Sequence, residues 1–194
     1  MLANVAGPSK YANKRNNHFD PFAALFKPKE AVDIFVSSFG VLLVLAGLGY
    51  AAWTVGPLPV LAYFGVPYLV VNLHLVLITY LQHTAVYVPH YREPEFTWLR
   101  GALSTVDRTY GFGLDTVFHR ITDTHVVHHL FSNMPFYHAA EATAAVKGLL
   151  GPYYLYDPTP VPTALWHSWT NCKFVATEGS YLHFLGPQDH KKTA

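Results

Sequence analysis

A mainly α-helical chain, with an integral membrane helical hairpin followed by a cytosolic helical domain that binds metal, is predicted by three observations. No Asp, Glu, Lys or Arg occurs from Ile34 to Tyr91, a charge-free run long enough for two bilayer crossings. Only 13% of the residues are charged, about half the usual quarter, while 51% are hydrophobic. The stretch Asp123-Thr124-His125-Val126-Val127-His128-His129 sets three imidazoles within five residues. If that stretch is helical, His125 and His129 stand at i and i+4 with His128 at i+3, and all three project from one face. Imidazole suits iron, zinc, copper and nickel alike, so the cluster points to a metal without naming it. The competing reading is a surface patch, or core histidines satisfied by backbone carbonyls.

Composition excludes other classes. A formal net charge of +1 gives no electrostatic case for nucleic acid. The single cysteine, Cys172, rules out an internal disulfide framework and a cysteine zinc knuckle, and reads as an inert thiol. No signal peptide precedes the first apolar run, and residues 1–17 look like a polar loop cut from something longer.

The elements follow in order. Residues 1–31 form a polar cytosolic loop with a turn at His18-Phe19-Asp20-Pro21, where His18 is an exposed loop histidine. Pro28, Glu30 and Asp33 suit a helix first turn, where acidic side chains meet the positive end of the helix dipole. Residues 32–82 are the transmembrane hairpin. Its first arm, Ile34 to Trp53, is 20 residues, enough for a hydrocarbon core of about 30 Å. Its second, Leu58 to about Leu81, carries Pro67, an expected kink whose freed carbonyl needs an internal partner. Basic residues flank both arms and none lies in the turn Thr54-Val55-Gly56-Pro57, so both ends are expected in the cytosol. His74 lies inside the second arm, where hydrogen bonding to a neighbouring helix is the expected role, whereas His83 at its cytosolic end can reach a cytosolic metal site.

Residues 83–152 form the cytosolic helical domain. Phe96, Leu99 and Leu103 share one face of an amphipathic segment, either along the membrane surface or capping the domain. Leu114 to Phe131 reads as one helix carrying the three histidines, with His119 off the cluster's best face and Asp123 a hydrogen-bond partner for a ligand other than its neighbour. His138 to Leu150 forms the next helix, stopped by Gly151-Pro152, and Glu141 on it either orients an imidazole or is a solvated carboxylate. Residues 153–194 are expected as an irregular aromatic and proline-rich tail, disordered at Lys191-Lys192. No phosphate-cradling glycine loop and no Gly-x-Ser-x-Gly elbow appears.

Thr79-Tyr80-Leu81-Gln82-His83-Thr84, Pro89-His90-Tyr91, Trp98 through Arg108, and Ile121-Thr122-Asp123-Thr124-His125-Val126-Val127-His128-His129-Leu130-Phe131 occur in that order, followed by Met134-Pro135-Phe136-Tyr137-His138-Ala139 and Glu141-Ala142-Thr143. This series resembles the C-terminal half of the membrane-bound delta-12 fatty acid (oleate) desaturases, and the resemblance covers nearly the whole chain back to His18. The rather different tail suggests a fungal-type member. The resemblance implies a partial membrane fatty acid desaturase fold, in the endoplasmic reticulum membrane, multi-pass, with its catalytic part cytosolic. It implies two iron ions, O2, and electrons from cytochrome b5 and its reductase, used to place a second double bond in an oleoyl chain of a fatty acyl lipid. By position, His125, His128 and His129 match the third histidine box of the family and His83 matches its extra ligand, with Thr79 one turn earlier facing the site.

The family pattern also contains two earlier boxes, H-x-x-x-H and H-x-x-H-H, which are absent here, and Ala85-Val86-Tyr87-Val88 replaces a segment that usually holds another histidine. Four candidate ligands fall short of two iron sites that need about twice as many. The expectation is therefore a desaturase fragment that is inactive alone. A non-catalytic membrane-anchored remnant, and a related hydroxylase, epoxygenase or delta-15 desaturase, are the alternatives. A hydrolytic zinc enzyme is disfavoured because no H-E-x-x-H or carboxylate base accompanies the cluster.

Overall fold

A computed structural model describes residues 14–175 and 179–187. The expected disorder of Lys191-Lys192 lies outside the described residues. The chain divides into two compact units, one up to Val71 and one from Asn72 onward.

In the first unit the loop before the membrane segment is locally tied. Asp20 accepts the Phe22 N–H at 3.0 Å and pairs with Arg15 at 2.5 Å, while His18 is exposed with its ring edge toward Phe26. The Glu30 carboxylate accepts the Lys27 N–H at 2.8 Å, fixing a short 3-10 turn at Pro28–Glu30. Helix α1, Ala31–Val55, follows with Asp33 in its first turn. Its 25 residues make it about 37 Å long. It is apolar all round, and Leu42, Val44 and Leu45 are each more than half exposed. Gly56, at φ 92°, breaks the helix, and Pro57 opens α2, Pro57–Val60, which packs back on α1.

A π-helical turn, Leu61–Gly65, then precedes α3, Val66–His83. Pro67 has no N–H to give and its ring would press on the carbonyl four residues back. The widened turn, in which the Val66 N–H reaches Leu61 O, is how the chain accommodates the expected kink. Both helical runs, Pro28–Val55 and Pro57–His83, are long enough and, over an 18-residue window in each, apolar enough to cross a membrane. A buried core helix of a soluble fold passes the same test, but none of the first window is buried and only 6% of the second.

The second unit is organised on the end of α3. Ile78 and Leu81 pack with Tyr110 and Ala164, flanked by Phe118, Ile121 and Val161. A second apolar patch joins Ala85, Val88 and Val106 to Leu155. His90–Tyr91 (β1) pairs antiparallel with Tyr181–Leu182 (β3), and Phe174–Val175 (β2) with Phe184–Leu185 (β4). Helix α4 is only Trp98–Ala102, capped by the Thr97 hydroxyl on the Arg100 N–H. Phe96 lies ahead of that cap, so it does not share a helical face with Leu99 and Leu103. Its ring instead lies against Gly101, where a Cβ would meet Cε2 at 3.0 Å.

The single helix expected over Leu114 to Phe131 is two short ones, α5, Leu114–Val117, and α6, His125–Leu130. Asp115 is the cause. Its carboxylate accepts from the Thr109 and Thr122 hydroxyls at 2.5 Å each and from the Tyr110 N–H at 2.8 Å, a local alternative to the helical ladder. His119 and Arg120 take positive φ, 53° and 64°, and turn the chain back before α6. Helix α7, Ala139–Leu150, ends at Gly151 as expected. The tail expected to be irregular carries a further helix, α8, Val161–Asn171, because Pro162 lies in its first turn, where the missing N–H costs nothing. Ser168 on α8 donates to Thr84 O at 2.5 Å and so holds the helix against the end of α3.

Candidate metal centre

Three imidazoles converge in the second unit. His83 is the last residue of α3, His125 the first of α6, and His129 stands one turn further on. One ring nitrogen from each lies within 4.8 Å of those of the other two. His125 Nε2 is 3.2 Å from His83 Nε2 and 3.2 Å from His129 Nε2. On two of the rings the other nitrogen is committed outward, His125 Nδ1 to Ile121 O at 3.0 Å and His83 Nδ1 to Ser104 O at 3.3 Å. A carbonyl only accepts, so both Nδ1 atoms carry the proton and both Nε2 atoms present lone pairs. Two lone pairs 3.2 Å apart repel unless a cation lies between them, and this is the observation that fits the group to a metal.

The electrostatics agree. His125 is 4% exposed, and burial, then the neighbouring His129 and His83 rings, push its pKa down to about 3. Burial, then His83 and His128, push His129 down to about 4. Both rings are neutral near pH 7, the form a metal requires.

His128 departs from the expected common face. At 3.6 residues per turn it is about 100° around the helix from His129, on the opposite flank of His125. It is exposed, and its ring centroid stands 5.5 Å from that of His125 and 5.7 Å from that of His129. The other candidates stand apart from the three nitrogens. Thr79 donates to its own helix, to Leu75 O at 2.8 Å. Asp123 is held by Arg120 through bonds of 2.9 and 2.6 Å rather than by an imidazole. Glu141 is exposed on α7, 3.7 Å from His138 Nδ1. His74 lies against Phe118, His90 against Phe184, and His119 stacks on Phe136 at 4.4 Å.

Sequence reasoning missed the buried polar groups behind the cluster. Gln82, fully buried, donates Nε2 to Thr122 O at 2.6 Å. Asp107, also fully buried, accepts from the Val126 N–H at 2.7 Å and the Tyr154 hydroxyl at 2.6 Å, and burial pushes its carboxyl up to about 6 against those bonds. Arg108, 1% exposed, pairs with Asp157 at 2.8 Å. The available signal was a charged pair, Asp107-Arg108, directly after an apolar and threonine run.

Asp157 gives a pH expectation. Burial alone would raise its pKa, but hydrogen bonds from Thr159 and Tyr87 and the Arg108 charge outweigh burial and hold it at about 2, below the ordinary 3.8. A carboxylate with a depressed folded-state pKa contributes stability that is present above about 3.8 and lost as pH falls toward about 2. Thermal melts of the chain in detergent should therefore steepen their decline below pH 4, and Asp157→Asn should flatten that limb; an unchanged limb would contradict this assignment.

Comparison with known proteins places the chain among relatives. The sequence profile described as Fatty acid desaturase matches residues 3–160. The chain is 51% identical over 184 residues to the Delta(12) fatty acid desaturase of Mortierella alpina, covering 95% of this chain and 46% of that protein. It is 52% identical over 163 residues to the omega-6 fatty acid desaturase, endoplasmic reticulum isozyme 2, of Glycine max, covering 84% of this chain and 42% of that protein. A Delta(12)-acyl-lipid-desaturase of Punica granatum matches at 49% over 158 residues. The chain thus spans about half the length of the curated relatives it matches.

Proposed function

Because the chain belongs to the fatty acid desaturase family, we propose that it is the C-terminal portion of a delta-12 acyl-lipid desaturase, contributing one face of a two-iron site. The observation that carries the reading is the convergence of His83, His125 and His129 through their Nε2 atoms at the end of an apolar helix. Overall, an oleoyl chain, O2, two electrons and two protons give a linoleoyl chain and two waters. Iron, when bound, would supply the oxidising power to remove two hydrogens from adjacent saturated carbons. The protein's own part is to hold two of the imidazoles with their protons fixed at Nδ1, to keep the site half-buried, and to set it at the end of the apolar helix α3.

We assign His83, His125 and His129 to one ion, and His128, on the outer flank of α6, to a second whose remaining ligands are not among these four histidines. Thr79, Asp123 and Glu141 are outer candidates, of which Thr79 lies one turn from His83. Replacing His128 by alanine should leave binding of a first Co2+ within about fivefold; a loss as large as that expected on removing His125 would contradict the division. Residence in the endoplasmic reticulum with both ends of the hairpin cytosolic is supported by the basic flanks of the apolar run and by the printed location of the Glycine max relative. Reducing equivalents would then come from cytochrome b5 and its reductase.

The test is a chimera in which this chain replaces the stretch it matches in the Mortierella alpina enzyme. Yeast supplied with oleate should accumulate linoleate with the chimera and none with the chain alone, since four histidines are too few for two irons. A folded chimera without linoleate would sink the desaturase reading, and linoleate from the chain alone would sink the ligand count.

A further inference from the structure

We propose that the segment Ser104–Arg108, buried from Thr105 onward, is the positioning element of this centre, and that Asp107 is its decisive residue, fixing where His125 and His129 stand relative to His83. The inference rests on the metal reading of those three histidines. Four residues of the segment bond to one of the two elements that carry them, and the fifth, Arg108, bonds to the turn that leads into α6. Ser104 O accepts from His83 Nδ1 at 3.3 Å. The Thr105 hydroxyl and the Val106 N–H both donate to Gln82 O, at 2.8 and 3.1 Å, and so hold the last turn of α3. The Arg108 N–H donates to Thr122 O at 3.0 Å, the same carbonyl that Gln82 Nε2 reaches at 2.6 Å. Asp107 closes the arrangement by accepting the Val126 N–H at 2.7 Å.

Asp107 matters most because α6 has no cap of its own. Thr124, at its N-cap, makes no side-chain capping bond, so the Val126 N–H would lack a partner in a buried place without the carboxylate. The Asp107 side chain is itself held from behind by the Tyr154 hydroxyl at 2.6 Å, and its backbone by Leu155 O and the Asp157 N–H, each at 3.0 Å. Residues 104–106 therefore fix the His83 side and residues 107–108 the His125 side. The distance between the two ligand elements is set by five consecutive residues of backbone, before any ion arrives.

The full chain in detergent micelles is titrated with Co2+, reading the visible d–d absorption, alongside the thermal midpoint of each variant. Asp107→Leu, which keeps the branching at Cγ but accepts no hydrogen bond, should bind Co2+ at least about tenfold more weakly, with an altered d–d spectrum. Asp107→Asn, which keeps an acceptor for the Val126 N–H, should stay within about threefold of the parent. Ala164→Gly, a core change away from the segment, lowers the midpoint without moving the affinity and so separates stability from positioning. A leucine variant that binds less than tenfold more weakly overturns the proposal. If the leucine chain does not fold, the asparagine chain decides, and a loss beyond threefold with the acceptor retained overturns it. A parent chain that binds no Co2+ sinks the metal reading itself, a result distinct from a parent that binds and a leucine variant that binds equally well.

Discussion

His125→Ala is expected to lower the affinity of the chain for Co2+ by at least about 100-fold, some 2.8 kcal/mol at about 1.4 kcal/mol per tenfold, and to abolish linoleate formation by the chimera. His125 is the central nitrogen of the three, 3.2 Å from each of the other two Nε2 atoms, and it is the most deeply buried. Its removal leaves two imidazoles with no third donor between them. The fold should persist, because the side chain gives the protein one hydrogen bond, to Ile121 O, and its deletion also relieves a lone-pair repulsion in the metal-free state. Isothermal titration with the thermal midpoint recorded in parallel checks both halves. A variant that keeps parental affinity would remove His125 from the centre.

Arg108→Leu is expected to cost about 3 kcal/mol of stability, read as a large fall in the thermal midpoint in detergent. The guanidinium is fully enclosed, pairs with Asp157 at 2.8 Å and donates to Thr159 O at 3.3 Å. Leucine fills much of the space but leaves the Asp157 carboxylate with hydrogen bonds and no countercharge. Arg108→Leu combined with Asp157→Asn should recover part of the loss, since the uncompensated charge and not the missing side chain is the larger cost. No recovery in the double variant would assign the loss to packing instead.

The parts legible in the sequence are those governed by composition and short spacing. The charge-free run from Ile34 was readable as apolar helix up to its end at His83, and Pro67 had to disturb it, although whether by a kink or by the π-turn at Leu61–Gly65 is a matter of local backbone. The i,i+4 pair His125 and His129 was readable as one face, and His83 as its reachable partner. His128 stands apart from those three nitrogens because it is about 100° around the helix from His129, on the other flank of His125. The break between α5 and α6 was hidden for another reason. Asp115 collects donors from Thr109, Tyr110 and Thr122, and a carboxylate that competes with a helical ladder through residues on both sides leaves no periodic trace. Asp107 was invisible in the same way, since its partners Val126 and Tyr154 lie 19 and 47 positions away.

The bond from Tyr154 to Asp107 has a consequence for biosynthesis. The carboxylate that steadies α6 is complete only after residue 154 has been made, 71 positions later than His83. At about 5–20 residues per second a ribosome takes roughly 4–14 s to cover that distance. For the last 25 of those positions, after His129, all three imidazoles are present but their spacing is not yet imposed. On the metal reading of these histidines, selective loading would belong to the finished chain, and a cation captured earlier would meet loose ligands from which it could still escape.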